Sequence, residues 1–129
     1  MDELLKTCDM LSLHVPVTEE TTGMCDREFF AKCRKGSYFV NTSRGELVDD
    51  DALREALENG TIVMAGLDTL DHEPVQKSHP MLSWPEETKE KILFSPHIGG
   101  ITGSSFDRGY AMIWEDIEKI SRGEAPGHI

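Results

Sequence analysis

Short apolar segments with strand character alternate with helical segments along the whole chain. The strand-like segments are residues 10–15, 37–42, 61–67 and 92–95. They are rich in β-branched, aromatic or other apolar residues, and Pro16 ends the first because proline cannot donate to a ladder. This alternation predicts an α/β fold with a parallel sheet that helices cover on both faces.

Helices are predicted over residues 26–35, over 50–59 and over about 102–122, because apolar residues recur there at helical spacing. Gly36 stands where the C-cap of the first helix belongs, and Gly60 follows the second. The last helix carries one apolar stripe. Its members are Phe106, Tyr110, Ile113, Ile117 and Ile120.

The charge balance argues against nucleic-acid and membrane partners. The chain has 13 basic and 24 acidic residues and a formal net charge of −11, whereas phosphate binding needs clustered Lys and Arg. The longest apolar run, 62–67, is far shorter than the roughly 20 residues of a membrane helix. The N-terminus is acidic where a signal peptide is basic, which predicts a cytoplasmic protein.

The three cysteines predict neither a disulfide framework nor a zinc site. Cys8, Cys25 and Cys33 cannot all pair with one another, and none has CxxC spacing. The five histidines show no metal-ligand spacing either. The 129 residues suffice for one domain, or for part of one.

Parallel α/β sheets bind ligands just beyond the carboxyl ends of their strands. In this chain the corresponding segments are 14–16, 41–45, 68–73 and 96–100, all rich in polar residues or glycine. We expect functional side chains in these four segments.

Three side chains in these segments suit acid/base chemistry on a carboxylate substrate. Arg44 could grip a carboxylate with two parallel hydrogen bonds, or it could be a surface arginine paired with Glu46 or with an Asp of the next helix. His97 suits general acid/base catalysis, or it is a turn histidine bonded to backbone. Glu73 could orient His97, or it is a solvated loop carboxylate. Asp68 ends the most apolar strand, where an unpaired charge is costly.

Two other chemistries have partial signatures. Ser43, His97 and Asp68 supply the residue types of a hydrolase triad, but the GxSxG elbow is absent around Ser43. The glycine-rich segment 99–103 precedes a helix and could bind phosphate. It matches neither GK[ST] nor GxGxxG.

Taken in order, several segments resemble the D-isomer-specific 2-hydroxyacid dehydrogenases over nearly the whole chain. They are DMLSLHVP at 9–16, VNTSRG at 40–45, AGLD at 65–68, EP at 73–74 and PHIGG at 96–100. The resemblance implies the second half of a Rossmann-type, doubly wound parallel sheet. It also implies hydride transfer between NAD, with NADP as the alternative, and a small 2-hydroxy or 2-keto acid.

The resemblance also assigns roles to individual residues. Arg44 would bind the substrate carboxylate, His97 would be the acid/base, and Glu73 would hold His97. The residues expected at the cofactor are Val15, Pro16, Thr42, Ser43, Arg44, Asp68, His97, Gly99 and Gly100.

Two parts of the family pattern have no counterpart in the 129 residues: the GxGxxG turn and the substrate domain. We therefore expect the chain to be the C-terminal part of an NAD-binding domain, with helix 102–122 packing toward a substrate domain. We also expect it to be incomplete as an enzyme on its own. It should form a homo-oligomer or associate with an N-terminal segment. The alternative is a non-catalytic binding or interaction module derived from the family.

Overall fold

Four parallel strands form the sheet in the computed structural model, which describes residues 1–128. They are β1 (Met10–Leu13), β2 (Ser37–Asn41), β3 (Ile62–Leu67) and β4 (Ile92–Phe94). They lie in the order β1-β2-β3-β4, and every neighbouring pair is parallel. The predicted α/β fold with a parallel sheet is confirmed.

Five α-helices accompany the strands. They are α1 (Asp2–Thr7), α2 (Arg27–Lys32), α3 (Asp50–Glu58), α4 (Glu86–Lys89) and α5 (Gly103–Ser121). Short 3₁₀ turns occupy Gly45–Leu47 and Pro80–Ser83. Helices α2, α3 and α5 were predicted from the sequence, whereas α1 and α4 were not. Helix α4 has only four residues, and the two apolar residues of α1, Leu4 and Leu5, are adjacent and show no helical spacing.

The ends of α2 and α3 follow capping chemistry. Asp26 accepts a hydrogen bond from the Phe29 amide at 2.8 Å, and Asp49 accepts one from the Ala52 amide at 3.0 Å. Gly60, with φ of 75°, follows α3 as predicted. The prediction for Gly36 was wrong, because the last turn of α2 tightens and the helix is already capped at Cys33.

The core lies between one face of the sheet and the helices. Leu11, Phe39 and Ala65 are in register on neighbouring strands and are all buried. The ring of Phe30 on α2 meets that of Phe39 edge to face, with centroids 5.3 Å apart. Leu53 on α3 is fully buried in the same cluster. Packing on this face fixes the sheet beneath the helices.

The opposite face of the sheet differs from the expectation. Met10, Tyr38 and Met64 lie in one row across β1, β2 and β3 and are 59%, 44% and 45% exposed. Within residues 1–97, α1 to α4 contact one another in a single layer, and α3 packs on β3. These helices therefore cover one face only. The three connections between consecutive strands, which contain α2, α3 and α4, all run on that face, and α1 precedes β1.

Residues 98–128 form a second compact unit. It contains α5, which begins with a capping box between Thr102 and Ser105. The predicted apolar stripe lies along this helix. Among residues 1–128, no helix is both long and apolar enough to cross a membrane.

Candidate active site

The four strands end at the same level. Leu13, Asn41, Leu67 and Phe94 are consecutive partners across the sheet. The segment that follows each strand therefore leaves from one edge, as the rule for parallel sheets requires. The register alone therefore brings three of the four predicted ligand segments to this edge, together with the first residues of the fourth.

An imidazole–carboxylate pair occupies the edge beyond β3 and β4. Glu73 Oε2 lies 2.6 Å from His97 Nδ1, and Glu73 Oε1 accepts a hydrogen bond from the Leu70 amide at 2.9 Å. Both oxygens of the carboxylate are therefore engaged. Because the carboxylate accepts, the proton of the neutral imidazole resides on Nδ1, and Nε2 is left to exchange a proton with a ligand.

The pKa of Glu73 reports the same contacts. Partial burial pushes this pKa upward, but the hydrogen bonds from His97 and from the Leu70 amide outweigh it and leave the pKa below its ordinary value. Glu73 is thus a carboxylate that favours its ionised form.

The backbone of His97 is unusual. Its φ is 54°, in the left-handed region that non-glycine residues rarely adopt. The amide of His97 donates to the Ser95 carbonyl at 3.0 Å, which holds this turn. Non-glycine residues in this region are often found at functional sites, so the conformation favours a functional role over a plain turn.

Arg44 follows β2 and shares a cavity with the pair. The cavity has a volume of about 370 Å³. Its lining residues are Arg44, Gly45, Glu46, Thr69, Leu70, Asp71, His72, Glu73 and His97. Nη1 of Arg44 donates to the Ser43 carbonyl at 2.7 Å, and none of the ion pairs among residues 1–128 involves Arg44. The guanidinium is therefore not committed to Glu46 or to α3.

Asp68 follows β3 and is buried. Its carboxylate accepts a hydrogen bond from the Ser95 hydroxyl, and its amide donates to the Asn41 carbonyl at 2.9 Å. Together with Glu73 and His97 it lines a second cavity of about 560 Å³, whose other walls are mainly apolar. Asp68 thus connects the ends of β2, β3 and β4.

Ser43 is not arranged as a nucleophile. Its hydroxyl donates to the carbonyl of Val15 at 2.6 Å and so joins the ends of β1 and β2. His97 pairs with Glu73 instead, and Asp68 pairs with Ser95. The three residue types of the hydrolase hypothesis are present, but their hydrogen bonds do not form a triad.

The other predicted cofactor residues fall into two groups. Pro16 and Thr42 lie beyond β1 and β2, and both are exposed. Gly99 and Gly100 belong to the second unit, where the Ser105 hydroxyl donates to the Gly100 carbonyl at 2.5 Å. Their assignment to the cofactor stays a prediction.

Asn41 and Ser95 were not predicted as site residues. The side chain of Asn41 bonds the backbone of residues 43 and 44, and the hydroxyl of Ser95 donates to Asp68. Asn41 directly follows the apolar run Tyr38-Phe39-Val40, and Ser95 directly precedes Pro96 and His97. A polar residue that directly ends or follows an apolar run is the signal that could have identified both, and Asn41 is buried as well. His79 is a capping residue that accepts from the Met81 amide, in line with a structural role. Residues 1–128 contain no cluster of three or more potential metal ligands.

Comparison with known proteins places the chain beside one group of enzymes. The family model described as "D-isomer specific 2-hydroxyacid dehydrogenase, NAD binding domain" matches residues 1–99. The chain is 36% identical to the glyoxylate reductase of Korarchaeum cryptofilum over 129 residues, which are all of this chain and 37% of that protein. It is 41% identical to glyoxylate/hydroxypyruvate reductase B of Klebsiella pneumoniae over 102 residues, 79% of this chain and 30% of that protein.

Solved structures of D-isomer specific 2-hydroxyacid dehydrogenases are also similar to the chain. The NAD-complexed D-isomer specific 2-hydroxyacid dehydrogenase of Lactobacillus delbrueckii ssp. bulgaricus superposes with a TM-score of 0.79 at 32% identity, over 99% of this chain and 42% of that one. The enzyme from Xanthobacter autotrophicus, solved with NADPH and MES, gives 0.79 at 30% identity, over 95% and 48%. The chain thus spans less than half the length of these similar proteins.

The lowered pKa of Glu73 predicts a pH-dependent contribution to stability. Above about pH 4.5, the ordinary value, Glu73 is ionised in both states and its hydrogen bonds stabilise the fold. As the pH falls below that value the unfolded chain takes up the proton first, so this contribution is lost. The difference in free energy of unfolding between the unchanged protein and Glu73→Gln should therefore shrink below about pH 4.5, as measured by urea denaturation.

The control is Glu46→Gln, which removes an exposed carboxylate from the wall of the same cavity. Its effect on stability should change less over this pH range. A Glu73→Gln difference that stays constant across the range would contradict the stabilising role of the ionised carboxylate.

Proposed function

The chain belongs to the D-isomer-specific 2-hydroxyacid dehydrogenase family, and we propose that it carries the catalytic groups of an NAD-dependent oxidoreductase acting on 2-hydroxy and 2-keto acids. The observation that carries the proposal is the cavity in which Arg44 and the Glu73–His97 pair meet. A cation for a carboxylate and an imidazole for a hydroxyl proton are the two groups that such a substrate requires.

His97 is the proposed acid/base. In the oxidation direction its Nε2 accepts the proton of the substrate hydroxyl, and in the reduction direction it returns the proton to the carbonyl oxygen. Glu73 stabilises the imidazolium and keeps the proton of the neutral form on Nδ1. Its second oxygen is bonded to the Leu70 amide, so the imidazole is held by a group that is itself anchored.

Arg44 is the proposed carboxylate-binding residue. Its guanidinium projects two or more N–H donors in a plane that matches a carboxylate. The substrate carbon that bears the hydroxyl is thereby placed beside His97, on the wall of the same cavity.

Parallel sheets of this kind bind dinucleotides at the carboxyl edge of their strands, and the buried Asp68 lies at this edge, on the wall of the larger cavity. The residues proposed to hold NAD, with NADP as the alternative, are Val15, Pro16, Thr42, Ser43, Arg44, Asp68, His97, Gly99 and Gly100. The bound nicotinamide would supply the hydride acceptor or donor. The chain supplies orientation, carboxylate binding and proton transfer.

Two apolar surfaces support a proposal about assembly. One is the row of Met10, Tyr38 and Met64 on the open face of the sheet. The other is the stripe along α5, which we propose packs toward a substrate domain of the kind expected from the sequence. Because exposed apolar area of this kind favours association, we propose that the chain forms a homo-oligomer or binds a further segment of its own protein.

The function is tested on the protein in the form that its native cell produces. Calorimetric titration measures the binding of NADH, and absorbance measures the oxidation of NADH with glyoxylate, pyruvate or hydroxypyruvate as the substrate. His97→Ala should lower kcat by about 10²–10⁴-fold, because proton transfer by a positioned side chain contributes that much. It should leave NADH binding largely intact, because the other eight residues proposed to hold NAD are unchanged. The control is His128→Ala, whose imidazole contacts Asp116 in the second unit. NADH binding without any hydride transfer would favour the non-catalytic module, and unchanged turnover of His97→Ala would remove the acid/base role.

A second prediction concerns Arg44→Lys. An ammonium is a point charge and does not reproduce the two-pronged contact, so the KM for the 2-keto acid should rise by roughly 10- to 100-fold with a smaller change in kcat. Steady-state kinetics measures both constants. Arg27→Lys, the same change in an exposed ion pair with Glu55, should leave the KM unchanged. An equal effect of the two variants would show that Arg44 does not touch the substrate.

The assembly proposal predicts a shift in molecular mass. Replacing Tyr38 with Lys places a charge in the centre of the apolar row and should weaken association, as measured by sedimentation equilibrium. Lys35→Glu, a charge change at an exposed turn position, is the control. A monomeric unchanged protein at all concentrations would contradict self-association.

A further inference from the structure

Asn41 ends β2 and is buried, with 1% of its surface exposed. Its amide group makes two hydrogen bonds into the loop that follows. Nδ2 donates to the Arg44 carbonyl at 2.7 Å, and Oδ1 accepts from the Ser43 amide at 3.0 Å. A single side chain therefore fixes the backbone on which Arg44 is mounted.

The next residue, Gly45, is pressed against the segment after β3. A Cβ built on Gly45 would lie 1.9 Å from the Leu70 carbonyl carbon and 2.1 Å from the Asp71 nitrogen. These are backbone atoms, so they cannot rotate away as the end of a side chain could. Only glycine allows the Arg44 loop to approach residues 70–71 this closely.

The segment that Gly45 touches also anchors the acid/base pair. The Leu70 amide donates to Glu73 Oε1, and Glu73 Oε2 bonds His97 Nδ1. The backbone of Leu70 therefore contacts two groups. One is the loop that bears Arg44, and the other is Glu73, which holds His97.

We propose that Asn41 is a positioning residue that sets the placement of Arg44 relative to His97, acting through the Arg44 loop and its contact with Leu70. The inference rests on the proposed function, because it gives Arg44 and His97 one substrate to share. It goes further by assigning the spacing between them to a residue that does not touch that substrate. Through these contacts the Asn41 amide fixes the distance between Arg44, which binds the carboxylate, and His97, which transfers the proton.

The first variant is Asn41→Asp, which retains the acceptor for the Ser43 amide and loses the donor to the Arg44 carbonyl. We expect the KM for a 2-keto acid and the Kd of oxamate, a planar analogue of pyruvate, to rise about 10-fold or more. Misplacement of a binding group by 1 Å can cost that much. The kcat should change less, because the hydrogen bond between His97 and Glu73 is untouched.

Asn59→Asp is the matched control. Oδ1 of Asn59 accepts from the Thr61 amide at 2.9 Å, so the same substitution keeps that bond and lies at the end of α3. Its KM and oxamate affinity should equal those of the unchanged protein. Circular dichroism verifies that each variant is folded before binding is measured.

If Asn41→Asp does not fold, Asn41→Ser provides the second variant, because a hydroxyl fits the space and can serve only one of the two partners well. Gly45→Ala tests the other half of the link and should weaken oxamate binding, whereas Gly66→Ala should not. A Cβ on Gly66 would meet Val40 Cγ2 at 3.9 Å, an ordinary contact.

The outcomes separate the inference from the function. Oxamate binding that is equal in Asn41→Asp and in the unchanged protein would overturn the positioning role and leave the proposed function standing. An unchanged protein that neither binds oxamate nor oxidises NADH would overturn both. A loss of kcat as large as the rise in KM would indicate general damage to the site and would also contradict the inference.

Discussion

The level ends of the four strands determine where everything of functional interest lies. Leu13, Asn41, Leu67 and Phe94 are in register, so the loops after them start from one edge. A shift of one residue in a strand would turn its side chains to the opposite face and expose the core row that contains Phe39. The register is therefore set by burial on the helical face, and the arrangement of Arg44, Asp68 and His97 follows from it.

The cavity that holds Arg44 is lined by charges of both signs. The net charge is −11, and Glu46, Asp71 and Glu73 stand on the cavity wall itself. Distant surface charges are screened beyond about 8 Å at physiological ionic strength, so an anionic substrate responds mainly to the nearest groups. Both oxygens of Glu73 are engaged by hydrogen bonds from Leu70 and His97, and Arg44 supplies the guanidinium of this wall. Within residues 1–128 this guanidinium forms no ion pair, and it can therefore bind the carboxylate of the proposed substrate.

Much of this site could be predicted from the sequence, because strand ends are visible as the places where apolar runs stop. That rule located Arg44, Asp68, Glu73 and His97. It could not reveal that Ser43 donates to Val15, since that contact depends on β1 and β2 being neighbours. The role of Gly45 was equally hidden, because the crowding of the loop against Leu70 arises only in three dimensions.

The placement of the His97 imidazole shows how a group can be fixed without being buried. Its side chain is 46% exposed, so packing alone does not hold it. Three other restraints act instead. Pro96 limits Ser95 to extended backbone, the His97 amide is bonded to the Ser95 carbonyl, and Glu73 holds Nδ1. The left-handed φ of 54° costs about 1–2 kcal/mol for a residue with a Cβ, and these hydrogen bonds are of a size to offset it. The proposed proton-transfer atom, Nε2, is thereby left accessible while the ring that carries it is restrained, and proton exchange with a ligand requires both conditions.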